Sequence, residues 1–172
     1  MALNVNYHNS FIARIKGWIQ HYNHEKYWRY RDMVVKPAVG GVKLMNIIRL
    51  MYIKRCDAFN CASMGTDLGR GATFKTTPSF PHGINGIIIS PDAVIGANCR
   101  IFHQVTIGND YRDVENVPTI GDNVTIYPGA KIVGKVKIGN NVEIGANAVV
   151  VEDVPDNSVV LAPKAIIKTK QK

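Results

Sequence analysis

Residues 119–158, TIGDNVTIYPGAKIVGKVKIGNNVEIGANAVVVEDVPDNS, decide the fold. Ile120, Ile126, Ile132, Ile138, Ile144 and Val150 stand six residues apart. A second series of small or aliphatic residues, Val124, Ala130, Val136, Val142, Ala148 and Val154, runs four residues behind it. A period of six excludes an amphipathic helix, whose apolar face would return at about 3.6 residues. Each hexad reads instead as a short strand and a turn, with one bulky and one small side chain directed inward. Glycine follows Ile120, Ile138 and Ile144, and Asn123, Asn141 and Asn147 fall where a tight corner needs a residue tolerant of positive φ.

Working outward, Ile89, Ile95, Ile101 and Ile107 carry the same register, shadowed by Ala93, Cys99 and Val105, so ten rungs are visible. The register extends back to Phe80, Phe74 and Leu68. If three hexads close a triangular coil, residues eighteen apart stack on neighbouring coils at the ~4.8 Å strand spacing. The expectation is a mainly β protein, a parallel β-helix around a column of aliphatic side chains. The repeat does not fix its handedness.

Two interruptions stand out. The step from Phe80 to Ile89 is nine, which puts three extra residues within Pro81–Gly86, and the step from Ile107 to Ile120 is thirteen, which puts seven extra within Asn109–Thr119. Loops breaking a rigid scaffold are favoured places for function. The first holds His82 and Asn85; the second holds Tyr111, Arg112 and Asp113. His82 and His103 are each the third residue of their hexad, and their hexads are separated by one coil plus the three-residue insertion. Both histidines are therefore expected on one side of the prism in neighbouring coils. His82 is the candidate base, with His103 as rival or supporting hydrogen-bonding group.

The hexads resemble the hexapeptide-repeat acyltransferase family, a likeness that implies a left-handed β-helix and a homotrimer with active sites between subunits. Residues 81–108, PHGINGIIISPDAVIGANCRIFHQVTIG, and the quoted coils narrow the resemblance to the serine O-acetyltransferases and the related O-acetyltransferases of capsule and lipopolysaccharide synthesis. By that likeness acetyl-CoA is the co-substrate, His82 is the catalytic base and Asp67 its carboxylate partner. Lys131, Lys135 and Lys164 fall on the later coils where such enzymes bind the nucleotide end of coenzyme A, and Gly129 and Ala146 are small enough for the cofactor to approach closely. Serine-specific relatives usually have an acid before the catalytic histidine and an Arg-His pair in the later loop. Here Pro81 occupies the first place, and the loop offers Arg112 without a histidine. The expected acceptor is accordingly a saccharide hydroxyl, contacted by Asn85, Tyr111 and Arg112, with serine as the alternative and a non-catalytic scaffold as the competing class. No metal is expected, since a zinc site between subunits would need three histidines and the repeat holds two.

The chain has 172 residues, 46% of them hydrophobic, and a net charge of +8, which suits one core with a small appendage rather than disorder. No apolar run approaches the ~20 residues of a spanning helix, and the first residues lack a secretory pattern, so a cytoplasmic protein is expected. Cys56, Cys61 and Cys99 have no metal or disulfide spacing and are expected as buried thiols. Charge divides the chain. Residues 1–66 hold ten basic and three acidic residues, and the remainder eleven and ten. The expected organisation is a helical segment 1–66, a β-helix 67–158 and a basic C-terminal tail 159–172.

In the first segment Phe11, Ile15, Trp18, Ile19 and Tyr22 recur at helical spacing, as do Leu44, Met45, Ile47, Ile48 and Met51, with Pro37 and Gly40-Gly41 between them. Both stripes are expected as packing faces. The cationic side, with Lys43, Arg49, Lys54 and Arg55, is read as solvated, with peripheral contact to an anionic membrane as the second reading. No nucleic-acid-binding motif accompanies the charge.

Overall fold

The hexads fold as the period dictates. The computed structural model describes residues 15, 17–36, 43–113 and 115–170; Phe11, Pro37, Gly40 and Gly41 lie outside them. One face of the prism stacks β1 (Ser63–Met64), β5 (Ile88–Ile89), β8 (Thr106–Gly108), β11 (Lys131–Val133) and β14 (Val149–Val150). A second stacks β7 (Arg100–Ile101), β10 (Thr125–Ile126), β13 (Glu143–Ile144) and β15 (Val159–Val160), and the third β4 (Thr73–Phe74), β6 (Val94–Ile95), β9 (Thr119–Ile120) and β12 (Lys137–Ile138). Every pairing within these faces is parallel, so the architecture is a parallel β-helix. Ile89 stands beside Ile107, Ile107 beside Ile132 and Ile132 beside Val150. The leading isoleucines from Ile89 to Ile144 are buried, as are Ala93, Cys99, Val105, Val124, Ala130, Val136, Val142 and Ala148. Asn98, Asn123, Asn141 and Asn147 all take φ between 55° and 58°, turning the corners.

Departures occur at both ends. Val154 pairs with Ile138 and Val160 with Ile144, so Val154 occupies the leading position rather than the trailing one. The last coil is two residues shorter than the eighteen-residue repeat. At the other end Leu68 is not a rung. Thr66–Asp67 (β2) and Arg70–Gly71 (β3) form an antiparallel hairpin, and Leu68, at its tip, is 46% exposed. Gly65 and Gly69, at φ 52° and 72°, turn the chain out of the hexad path. Parallel pairing reaches from Ser63 to Val160.

Two helices cover the first coil. The α-helix α1 (His24–Val35) is capped by Asn23, whose side chain accepts from the Lys26 amide. Its Trp28 packs edge-on against Phe74 at 4.8 Å and stacked on Phe80 at 6.0 Å between ring centroids. Phenylalanines stand where later coils have isoleucine because they meet this indole. Buried Arg31 donates from Nε to Thr66 Oγ1 at 3.0 Å and from Nη2 to the carbonyls of Ala72 at 2.6 Å and Met64 at 3.4 Å. The second helix, α2 (Lys43–Phe59), buries Asn46, Ile53, Cys56 and Asp57. Leu44, Met45, Ile47, Ile48 and Met51 all point outward, as do Ile15, Trp18 and Ile19. Apart from buried Tyr22, the described residues of the two apolar stripes are thus not packed against other described residues of this chain as a core face. Cys56 and Cys99 are buried as expected, whereas Cys61 is exposed in the turn after α2.

Candidate active site

The insertion after Phe80 forms a turn fixed at both ends. The Gly83 amide donates to Phe80 O at 3.1 Å, and the Ile87 amide to Ile84 O at 3.1 Å. Gly83 and Gly86 take φ of 71° and 64°. Ile84 is fully buried, anchoring a loop whose polar side chains are exposed. The Gly86 amide donates to the carbonyl of Asn60, itself buried at the end of α2, so the helical segment holds this loop in place.

The loop sets His82 against His103. Their Nδ1 atoms are 2.8 Å apart, with ring centroids at 4.9 Å. His103 sits at the corner between β7 and β8, where Gln104 adopts φ 59°, a conformation that costs a non-glycine residue about 1–2 kcal/mol. The Gln104 amide donates to Asn85 O at 2.9 Å, locking this corner beneath the insertion. Two nitrogens at that distance share one proton, so one ring donates and the other accepts. If His82 donates from Nδ1, its Nε2 keeps a lone pair free to take a proton from another group.

An aromatic shelf adjoins the pair. His82 meets Phe102 edge-on at 5.3 Å, Phe102 stacks on Tyr127 at 5.5 Å, and the Tyr127 hydroxyl donates to Glu143 Oε2 at 3.2 Å. That contact with the Glu143 carboxylate raises the phenol above its ordinary value. Phe102 and Tyr127 each follow the leading isoleucine of stacked hexads, so the register alone would have found the shelf.

Asp67 lies exposed in the β2–β3 hairpin, with Oδ1 accepting from the Leu68 amide at 2.8 Å, while the hydrogen-bond partner of His82 is His103. Of the expected coenzyme A contacts, Lys131 donates from Nζ to Gln104 O at 2.7 Å and Gly129 O at 3.0 Å, bracing the corners next to the histidines. Gly129 has φ 74°, and a Cβ there would collide with Asn147 Oδ1, which accounts for glycine without a ligand. Lys135, Ala146 and Lys164 are exposed. In the second insertion Tyr111 and Arg112 are exposed, and Asp110 organises the turn by accepting from the Arg112 amide at 3.1 Å and Asn116 Nδ2 at 3.2 Å. The Arg112 amide bond holds the Asp110 carboxyl below its ordinary value. Neither the repeat nor the family resemblance singles out Asp110. Among the described residues no cluster of three or more His, Cys, Asp or Glu side chains is gathered as for a metal ion.

The structure is a triangular parallel β-helix on a six-residue repeat, with a histidine pair lifted from one corner. Residues 118–151 match the family model of the bacterial transferase hexapeptide (six repeats). The chain is similar to serine acetyltransferases. It is 40% identical over 106 residues to that of Staphylococcus aureus (strain Mu50), covering 60% of this chain and 49% of the relative. It is 38% identical over 109 residues to that of Mycobacterium tuberculosis, covering 62% and 47%. The solved serine acetyltransferase of Neisseria gonorrhoeae in complex with serine superposes with a TM-score of 0.61 at 27% identity, over 83% of this chain and 54% of that one. The chain spans about half the length of the curated relatives it matches. The β-helix is left-handed, as in these neighbours.

Proposed function

We propose that this protein is an acetyl-CoA-dependent O-acetyltransferase in which His82 is the general base and His103 its positioning partner. The observation that carries this reading is the 2.8 Å contact between the two Nδ1 atoms at the interrupted corner. An alcohol is a weak nucleophile near neutral pH. With its Nδ1–H donated in a hydrogen bond to His103, His82 accepts the hydroxyl proton at Nε2 as the alcohol oxygen bonds to the thioester carbonyl carbon. The carbon–sulfur bond then breaks, and the proton held by His82 passes to the departing thiolate sulfur. The imidazolium formed in between strengthens its bond to His103 by becoming a charged donor. In this chain His103 thus takes the part that the resemblance assigns to Asp67.

The likeness to serine acetyltransferases favours serine as the acceptor over the saccharide expected from the loop residues. The saccharide remains the second reading because Pro81 precedes His82 and the loop after Ile107 has Arg112 without a histidine. In either case Asn85, Tyr111 and Arg112 are the proposed acceptor contacts. Exposed Lys135 and Lys164 are free for coenzyme A phosphates in a way that Lys131 is not. Exposed Val149, Val151, Val159 and Leu161 on the outside of the last coils support a homotrimer with the site completed between subunits.

The test is thiol release from acetyl-CoA with serine, simple sugars and capsule oligosaccharides offered separately. Saturable release with serine supports the first acceptor, and release with saccharides alone supports the second. No release above hydrolysis with any hydroxyl compound overturns the enzymatic reading.

A further inference from the structure

The helical segment has its apolar side facing out. On α2 the residues turned away from the β-helix are Leu44, Ile47, Ile48, Met51, Arg55 and Phe59, with Met51 67% exposed. The opposite side buries Asn46, Asp57 and Cys56 along with Ile53. A helix that hides an amide and a carboxyl while exposing leucine, isoleucine and methionine is built to meet something apolar outside its own fold. The stripe continues beyond α2. His21 stacks on Phe59 at 3.9 Å, and Trp18 and Arg55 line one groove between the preceding segment and α2. Trp18, 77% exposed, and Ile19 extend the patch.

We infer that this face is a docking surface for an anionic lipid bilayer, on which the protein lies without crossing it. Charge selects the occupant. The stripe holds Arg55, whose guanidinium lies 5.4 Å from the Phe59 ring centroid, and the one acid of α2, Asp57, is buried on the other side. A second copy docked through the same stripe would bring arginine towards arginine with no carboxylate to answer either. Anionic headgroups answer the cation, and acyl chains take the isoleucine, leucine and methionine side chains. The surplus of basic residues in 1–66, ten against three, acts in the same direction at longer range. Trp18 suits the headgroup boundary, where indoles concentrate. No helix among the described residues is long and apolar enough to span, which fits a surface-lying mode. This inference stands apart from the acetyltransferase proposal and needs none of its residues.

The experiment is flotation of the full chain with vesicles of phosphatidylcholine containing phosphatidylglycerol and with vesicles of phosphatidylcholine alone. Wild type is compared with the pair Ile48→Glu/Met51→Glu and with the milder Leu44→Gln/Ile48→Gln. All substituted positions are exposed, and circular dichroism melts check that the variants stay folded. The wild type is expected to float with the anionic vesicles, weakly or not at all with the neutral ones. The glutamate pair should lose at least about tenfold in binding with its melting temperature unchanged. A wild type that stays in solution with anionic vesicles overturns the inference. So do folded variants that float equally well, or a light-scattering mass that drops in the glutamate variant while wild type ignores the vesicles, because then another copy covers the stripe.

Discussion

Replacing Asp57 by Asn tests the seam between helices and prism through its dependence on pH. Asp57 lies on the inward side of α2, where Oδ1 accepts the Tyr27 hydroxyl at 2.7 Å and Oδ2 is buried with no hydrogen-bond partner among the described residues. Burial pushes its carboxyl up from 3.8 to about 6. Between those values the folded chain binds the proton more tightly than the unfolded chain, so the stabilisation is complete below about pH 4 and is lost as pH rises through about 6. A rise of about two pKa units corresponds to about 3 kcal/mol. Asn keeps the shape and an acceptor for Tyr27 but does not titrate. Urea unfolding followed by tryptophan fluorescence, at fixed protein concentration from pH 4 to 7, gives the free energy of each protein. The wild type is expected to lose about 2 kcal/mol of this relative to Asp57→Asn over that range, the remainder falling below pH 4. Asp110 and Asp122, whose carboxyls are held below the ordinary value by hydrogen bonds, slope the other way. They are common to both proteins and cancel in the difference. Parallel pH profiles, or a wild type that gains on the variant as pH rises, would refute the reasoning.

Three further outcomes are expected. His82→Ala should lower acetyl transfer by ~10²–10⁴-fold in kcat while gel filtration shows an unchanged assembly; full activity would remove His82 from the chemistry. His103→Ala should lower kcat by ~10–100-fold with the KM for acetyl-CoA unchanged, the cost of one hydrogen bond to a reacting group, whereas His103→Gln, which retains an acceptor, should recover most of the loss. Equal defects in the two would mean that His103 does not act by accepting from His82. Gly129→Ala should destabilise the fold by ~1–3 kcal/mol in chemical denaturation, since the new methyl meets Asn147 at a positive φ; a neutral effect would reopen the reading of Gly129 as a ligand contact.

The prism was legible because its constraint is local and repeated. An isoleucine every sixth residue and an asparagine at each corner can satisfy one geometry only, and counting along that geometry brings His82 and His103 together although they lie 21 residues apart. Counting failed where the chain leaves the template. Leu68 fits the spacing, but Gly65 and Gly69 turn its neighbourhood into a hairpin against α1, whose Val34 carbonyl accepts the Gly69 amide. Val154 fits the trailing series until two residues are lost from the last coil. The apolar stripes from Ile15 to Ile19 and from Leu44 to Met51 were recognised as stripes, but periodicity states which side of a helix is greasy and not whether the same chain covers it. The inward side of α2 carries Asn46 and Asp57, which no pattern of hydrophobicity selects. No periodicity marks α1, because Tyr27, Trp28, Arg31 and Val34 read as an ordinary mixed surface until Arg31 is seen beneath Trp28 and Phe74. Lys131 looked like an anion contact for the same reason, since its carbonyl partners belong to corners 2 and 27 residues away.

Arg31 has a consequence for how the molecule ends. A stack of parallel coils exposes, at its terminal rung, carbonyls ready to receive the amides of another strand, and such an open rim invites end-to-end growth into fibres. Here the guanidinium takes the Ala72 and Met64 carbonyls, and Lys54 takes that of Thr66 at 2.6 Å. Side chains that cannot be extended by a further coil occupy the acceptors, so the ladder is closed to addition at this end.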